Sequence, residues 1–269
     1  MIGHISQSAN RIYALVLRHI NLWRSSVMRL VDSIYWPAVQ MVMWGFLTEF
    51  LASQTSYVAQ AFGVLLSGII LWEVVVRGNL SLSIAFLEEM WSRNLGHLFV
   101  SPIRSWEMAT GIVIVALLRT LLGMIPVSLL AWAFFGYNIY TLGLPLIAFF
   151  FILQMFSWSV GLAMSGMIMR VGQSAESFAW AAIFILMPIS GVYYPVDVLP
   201  QWLQIAAKAV PASYIFEGMR EILLGRVVHW DLLVWAFVLS VVYLVIGFQV
   251  FLWFYRSSRR AGTLLGQGE

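Results

Sequence analysis

The chain has 269 residues, of which 61% are hydrophobic and only 10% are charged, and its mean hydropathy is +0.87. Because a soluble domain carries roughly 25% charged residues, this composition excludes an ordinary soluble protein and indicates one embedded in a bilayer. The net charge of +3 is small, cysteine is absent, and no polar block is long enough to hold a separate catalytic domain.

The first 30 residues are predicted to form an amphipathic helix. Apolar residues between Ile12 and Trp23 fall near one face, and four arginines are interleaved with them: Arg11, Arg18, Arg24 and Arg29. A basic amphipathic segment before the first span is typical of a helix at the inner membrane surface. No cleavable signal peptide is expected here, because the arginines interrupt any apolar core. We therefore separate 1–30 from a single transmembrane domain at 31–269.

Six membrane spans are predicted in that domain. Apolar runs place them at about 33–52, 59–79, 108–133, 143–168, 178–194 and 230–254. Arginine and lysine concentrate in cytoplasmic segments of membrane proteins, so their distribution predicts the orientation. With the N-terminus inside, ten arginines lie in inner segments, and the short outer turns at 53–58 and 134–142 hold none. Both termini are therefore predicted to be cytoplasmic, which requires an even number of crossings.

The stretch 195–228 is too polar to cross a membrane and too apolar to be an ordinary loop. Between positions 200 and 222 it carries four charged residues: Lys208, Glu217, Arg220 and Glu221. Each charge at the bilayer centre costs about 2.5–3.5 kcal/mol on insertion scales. We therefore expect a re-entrant hairpin that enters the outer leaflet and returns, built from two short helices at 200–209 and 212–224 that are hinged at Val210-Pro211.

Two ionisable residues lie inside the predicted spans. Arg119 is roughly midway along the third span, and Glu73 lies on the inner half of the second, four residues before Arg77. Charges at this depth are expected to be paired or functional. One interpretation is an ion pair between Glu73 and Arg119 that locks or gates the bundle. The alternative is a pair between Glu73 and Arg77 at helical i,i+4 spacing.

Two sequence patterns are specific enough to indicate a family. The first precedes the sixth span and reads Ser190-Gly191-Val192, Tyr194-Pro195, Leu199-Pro200, Trp202, Pro211 and Arg220. The second lies in the inner insert, where an amphipathic segment from Glu88 to Leu98 is followed by a Ser-Pro-x-x-x-x-Glu element at 101–107. Both patterns resemble those of the type-2 ABC transporter permease family. The resemblance implies an all-α membrane fold with six spans, both ends inside, and a re-entrant hairpin between the fifth and sixth spans.

The resemblance also implies partners. The chain has no Gly-x-x-x-x-Gly-Lys-Ser/Thr phosphate loop, so ATP and Mg²⁺ are expected on a separate ATP-binding subunit, present in two copies beside a permease dimer. The segment 86–100 is then a coupling helix that seats in a groove of that subunit, although a plain surface helix has the same pattern. Its expected contact residues are Glu88, Glu89, Trp91, Arg93 and Asn94.

The hairpin is expected to form an outer gate. The residues assigned to it are Gly191, Tyr193, Tyr194, Pro195, Pro200, Pro211 and Arg220. Tyr193 and Tyr194 have two interpretations, as rings that stack on cargo or as interfacial anchors. A surface role for Arg220, beside Glu217 and Glu221 on one helix, is the simpler alternative to gating.

These observations predict the non-catalytic permease subunit of an ATP-driven exporter in a bacterial inner membrane, surrounded by lipid. The four histidines are scattered and form no metal-binding pair. No basic, aromatic-interleaved patch indicates nucleic acid. Two alternatives stay open: a transporter or channel that needs no ATPase, and a non-transporting assembly subunit.

Overall fold

The computed structural model describes residues 2–25, 27–54, 56–91, 103–172, 176–225 and 227–261, and these ranges contain α-helices and no strand. The all-α prediction is therefore confirmed. The α-helices, in chain order, are α1 Ile2–Arg24, α2 Val27–Gln54, α3 Ser56–Trp91, α4 Ser105–Phe135, α5 Leu144–Val171, α6 Glu176–Ile189, α7 Gln201–Ala209, α8 Pro211–Gly225 and α9 Trp230–Ala261. Two 3-10 turns, Ile139–Leu142 and Val196–Val198, precede α5 and α7.

Four helices in the described ranges are long and apolar enough to cross a membrane. They contain the second, third, fourth and sixth predicted spans, and their apolar parts are Phe62–Ile84, Trp106–Phe135, Leu144–Val171 and Trp230–Ser258. The first predicted span coincides with α2, a helix of 28 residues with Pro37 inside. The described residues therefore support four of the six predicted spans directly.

The fifth predicted span is shorter than expected. We placed it at 178–194, but α6 has only 14 residues, which corresponds to about 21 Å at 1.5 Å per residue. The helix stops at Ile189 because the chain turns at Gly191, whose φ of 62° is left-handed. The hydrocarbon core of a bilayer is about 30 Å thick, so α6 is short for a span.

Helix α3 forms the centre of the bundle. It contacts α2, α4, α5, α6 and α8, and 78% of its apolar window is buried, against 22% for α9. Its neighbours surround it with large buried side chains such as Phe149 and Phe156 of α5 and Phe216 of α8. A movement of α3 would therefore reach these five helices directly.

Helices α5 and α9 pack side by side and run in the same direction. The Ser240 hydroxyl donates to the Ile152 carbonyl at 3.3 Å, and further along, the Ser258 hydroxyl donates to the Met169 carbonyl at 3.3 Å. The separation in sequence between the two bonded residues is nearly the same at both places, as it is when two helices are parallel. A Cβ on Gly247 would collide with the Ser159 carbonyl oxygen of α5, so glycine permits this close approach.

Helix α1 packs on α4 by its predicted apolar face. Leu15, Val16 and Trp23 are buried there, and Leu15 lies so close to Gly111 of α4 that a Cβ on this glycine would come within 2.6 Å of it. His19, which shares the face, is also buried. The predicted apolar face of the N-terminal helix thus contacts protein.

Candidate functional site

Arg220 holds the turn between α6 and α7 against α8. Both terminal nitrogens of its guanidinium donate to the carbonyl oxygen of Gly191, each at 2.8 Å. One of them also contacts Glu217 Oε1 at 2.9 Å, and the same carboxylate oxygen accepts the backbone N–H of Val196 at 2.7 Å. Only 6% of Arg220 is exposed. The buried Arg220 and the partly exposed Glu217 therefore form a clamp that holds the turn at two backbone positions.

Gly191 is required by the geometry of this turn. Its φ of 62° lies in the left-handed region, which other residues adopt at a cost of about 1–2 kcal/mol. An added Cβ would also lie 3.0 Å from the Tyr194 carbonyl oxygen and 3.1 Å from a methyl group of Val196. The small residue at this position thus lets the carbonyl group face Arg220 while the chain folds back on itself.

The prolines of the pattern occupy helix starts. Pro195 precedes the 3-10 turn, Pro200 is the N-cap of α7, and Pro211 is the first residue of α8. Proline suits these positions because the first N–H groups of a helix have no partner within it. The two predicted helices and the hinge at Val210 are confirmed to within one residue. The Ser213 hydroxyl closes the hinge by donating to the Ala207 carbonyl at 2.6 Å.

The two tyrosines of the turn make contacts within the chain. Tyr193 stacks on Trp44 of α2 with 4.9 Å between ring centroids. The Tyr194 hydroxyl donates to the Pro188 carbonyl at 3.0 Å. These contacts favour a positioning role for both rings.

The turn rests directly on α3. A Cβ on Gly68 would come within 2.8 Å of the Val192 carbonyl oxygen, so the two backbones touch. One helical turn further along α3, Trp72 meets Phe216 of α8 with 6.2 Å between ring centroids. Contacts with α2, α3 and α8 therefore fix the turn in the bundle.

Of the two predicted partners of Glu73, the structure favours Arg77 over Arg119. Glu73 is buried and pairs with Arg77, whose Nε lies 3.6 Å from its Oε2. The reason is local, since residues four apart on a helix face each other. Arg119 faces α1, where its guanidinium lies 4.8 Å from the centre of the Trp23 ring.

The predicted coupling residues lie at the C-terminal end of α3 and beyond it. Glu88, Glu89 and Trp91 belong to the last turn of α3, which continues without a break from the second span. Nothing is described of their side chains, and Arg93 and Asn94 lie outside the described residues. The coupling role therefore stays a prediction, but Glu88, Glu89 and Trp91 belong to the same helix that contacts the turn after Gly191.

Sequence reasoning missed a second buried carboxylate, Glu107. Its Oε2 accepts the Arg104 backbone N–H at 2.9 Å and so caps α4, while its Oε1 lies 3.0 Å from Arg11 Nη2 of α1. Glu107 is the last residue of the Ser-Pro-x-x-x-x-Glu element. The signal was present, because an acidic residue three positions after a helix N-cap is a capping pattern.

The described residues thus define a multi-pass helical membrane protein. The family model for ABC-2 type transporters matches residues 12–224, from within α1 to the end of α8. Because this match covers most of the sequence, the chain belongs to the ABC-2 type transporter family and is a membrane component of a transporter. Members of this family normally work with an ATP-binding subunit and are generally non-catalytic themselves. No curated protein matches the chain.

Proposed function

We propose that this chain is the permease subunit of an ATP-driven exporter in a bacterial inner membrane. It forms a dimer, and two separate ATP-binding subunits supply ATP and Mg²⁺ chemistry. The observation that carries the proposal is the continuity of α3 from the turn contact at Gly68 to the predicted coupling residues at Glu88 and Glu89. Twenty residues of helix span about 30 Å, the thickness of the hydrocarbon core.

Six crossings are supported by the parallel packing of α5 and α9. Two neighbouring helices that run in the same direction require the chain between them to return across the membrane once. Of the described helices in that interval, α6 is the most apolar, whereas α7 and α8 carry Lys208, Glu217 and Arg220. We assign the return to α6, completed by the residues of its flanking turns. The α7–α8 hairpin then stays on the outer side as a re-entrant element.

The proposed mechanism moves α3 as a rigid rod. When the ATP-binding subunits close, they displace the segment 86–100 and with it the end of α3. The displacement reaches the outer turn through the backbone contact between Gly68 and Val192, and the clamp of Arg220 transmits it to α8. The hairpin thereby opens or closes the exit of a pathway between two permease copies.

The test follows the outer turn in the assembled complex and needs no knowledge of the cargo. The chain has no cysteine, so a spin label on Val198→Cys, an exposed position, reports the distance between two permease copies. The tagged chain should co-purify with an ATP-binding subunit, and trapping ADP with vanadate after ATP hydrolysis should shift that distance. The double variant Glu88→Lys/Arg93→Glu should abolish the shift while the labelled protein stays folded.

A matched control reverses a charge on a different helix. Glu49→Lys lies on α2 at an exposed position and should leave the vanadate-induced shift intact. A permease that purifies without any ATP-binding subunit would favour an ATPase-independent transporter or a non-transporting assembly subunit. A normal shift in the double variant would remove the coupling role of 86–100.

A further inference from the structure

An open cleft lies between the C-terminal ends of α5 and α9. Its volume is about 490 Å³, and its lining residues are Arg170, Trp253, Arg256, Ser257 and Arg260. This volume lies within the range of about 300–1,000 Å³ that is usual for small-molecule sites. The hydrogen bond from Ser258 to the Met169 carbonyl, at 3.3 Å, fixes the two helix ends beside each other. The cleft therefore lies between two helices that contact each other directly.

The positive charge in this cleft is not balanced by the described part of the chain. Within the described ranges, no carboxylate lies within 4.0 Å of Arg170, Arg256 or Arg260, in contrast to the paired Arg77 and Arg220. Arg256 and Arg260 are four residues apart on α9, where like charges repel each other. Arg170 comes from the neighbouring helix and adds a third. An anion between the three guanidinium groups would relieve this repulsion.

The position of the cleft indicates which anion it takes. Arg170 is the second-last residue of the apolar span of α5, and Trp253 and Arg256 lie in the last turns of the span of α9. The ring of Trp253 is 64% exposed, and tryptophan favours the depth of lipid headgroups. Guanidinium groups bind phosphate oxygens in bidentate fashion. A phosphate at this depth belongs to a lipid.

We infer that the cleft binds the phosphate headgroup of an anionic phospholipid at the arginine-rich end of the bundle. Basic pockets between transmembrane helices are suited to such headgroups. The arginines hold the phosphate, and the Trp253 ring packs beside the glycerol and the upper acyl chain. The site belongs to one copy of the chain and needs neither nucleotide nor a particular cargo.

The inference is tested by lipid retention of the purified full-length chain in native mass spectrometry. The probes are phosphatidylglycerol, phosphatidylcholine and inorganic phosphate at matched concentrations. Wild type should retain phosphatidylglycerol over phosphatidylcholine. Each of Arg170→Gln, Arg256→Gln and Arg260→Gln should lower this retention about fivefold, since one basic residue near an anionic surface contributes about 1 kcal/mol. Arg256→Lys keeps the charge and should retain more lipid than Arg256→Gln.

The matched control is Arg24→Gln, an exposed arginine in the last turn of α1, which should retain lipid as wild type does. The proposed lipid site would be overturned if this control lost as much phosphatidylglycerol as the cleft variants. It would also be overturned if replacing all three cleft arginines left the retention unchanged. Displacement of bound phosphatidylglycerol by inorganic phosphate would assign the cleft to free anions instead. Loss of a co-purifying ATP-binding subunit with unchanged lipid retention would assign it to a protein contact, which also overturns the inference.

Discussion

At the scale of single residues, the function of Arg220 depends on where its side chain points. The sequence places it among like and unlike charges on one helix, which is compatible with weak surface electrostatics. In the fold it is buried, donates twice to Gly191 and pairs with Glu217. A guanidinium can make these contacts together because its donors form a rigid planar fork.

Replacing Arg220 should therefore destabilise the protein. Arg220→Gln leaves the Gly191 carbonyl without its charged donors, and hydrogen bonds to charged groups contribute about 1.5–3 kcal/mol each. Arg220→Lys should recover only part of the loss, because an ammonium group lacks the fork. Thermal unfolding in detergent measures the effect. The matched control is Lys208→Gln on α7, where an exposed charge is removed and the unfolding temperature should not change.

If Arg220→Gln and Lys208→Gln unfold at the same temperature, the clamp contributes nothing to stability. If Arg220→Lys matches wild type, positive charge alone is sufficient and the two hydrogen bonds to Gly191 are not the reason for arginine. Either result would contradict the role assigned to the fork.

At the scale of helices, α1 is attached to the bundle by more than its apolar face. Arg11 reaches Glu107, which is 1% exposed and caps α4 at the same time. Glu107, the last residue of the Ser-Pro-x-x-x-x-Glu element, thus connects three parts of the chain. These parts are the N-terminal helix, the start of α4, and the segment that follows the predicted coupling helix. A movement of that segment is expected to reach α1.

The variant Glu107→Gln separates the two roles of this carboxylate. An amide oxygen still accepts the Arg104 backbone N–H, so the cap persists, while the charge that attracts Arg11 is lost. We expect α1 to detach more often, and trypsin to cut within it about 5- to 30-fold faster if 1–2 kcal/mol is lost. Limited proteolysis of the purified chain measures this rate.

The control for the proteolysis experiment is Glu49→Gln, which removes an exposed carboxylate on α2. This variant should be cut at the wild-type rate. A Glu107→Gln chain that is as resistant as wild type would show that the apolar contacts around Leu15 and Trp23 hold α1 without help from the ion pair.

At the scale of the whole molecule, orientation can be tested with single cysteines because the native chain has none. With the termini inside and the hairpin outside, Lys208→Cys should react with a membrane-impermeant maleimide in intact cells. Arg24→Cys should react only after the membrane is permeabilised. The reverse pattern would invert the proposed topology, and labelling of both residues in intact cells would place them on the same side.

The sequence by itself determined the class of the protein, the position of most helices and the existence of two short helices before the last span. These features depend on local properties: apolar length, charge content, and prolines at helix starts, as at Pro200 and Pro211. The face of α1 was also predictable, because helical periodicity places Leu15, Val16 and Trp23 together.

Only the tertiary structure decided the partners of the buried charges. Glu73 pairs with Arg77 on its own helix, and not with Arg119, because Arg119 points toward α1. The direction of the Arg119 side chain depends on how α4 is rotated in the bundle. The clamp on Gly191, the link from Arg11 to Glu107, and the cleft of Arg170 with Arg256 join residues that are distant in sequence. Such contacts follow from packing of whole helices, which no local pattern specifies.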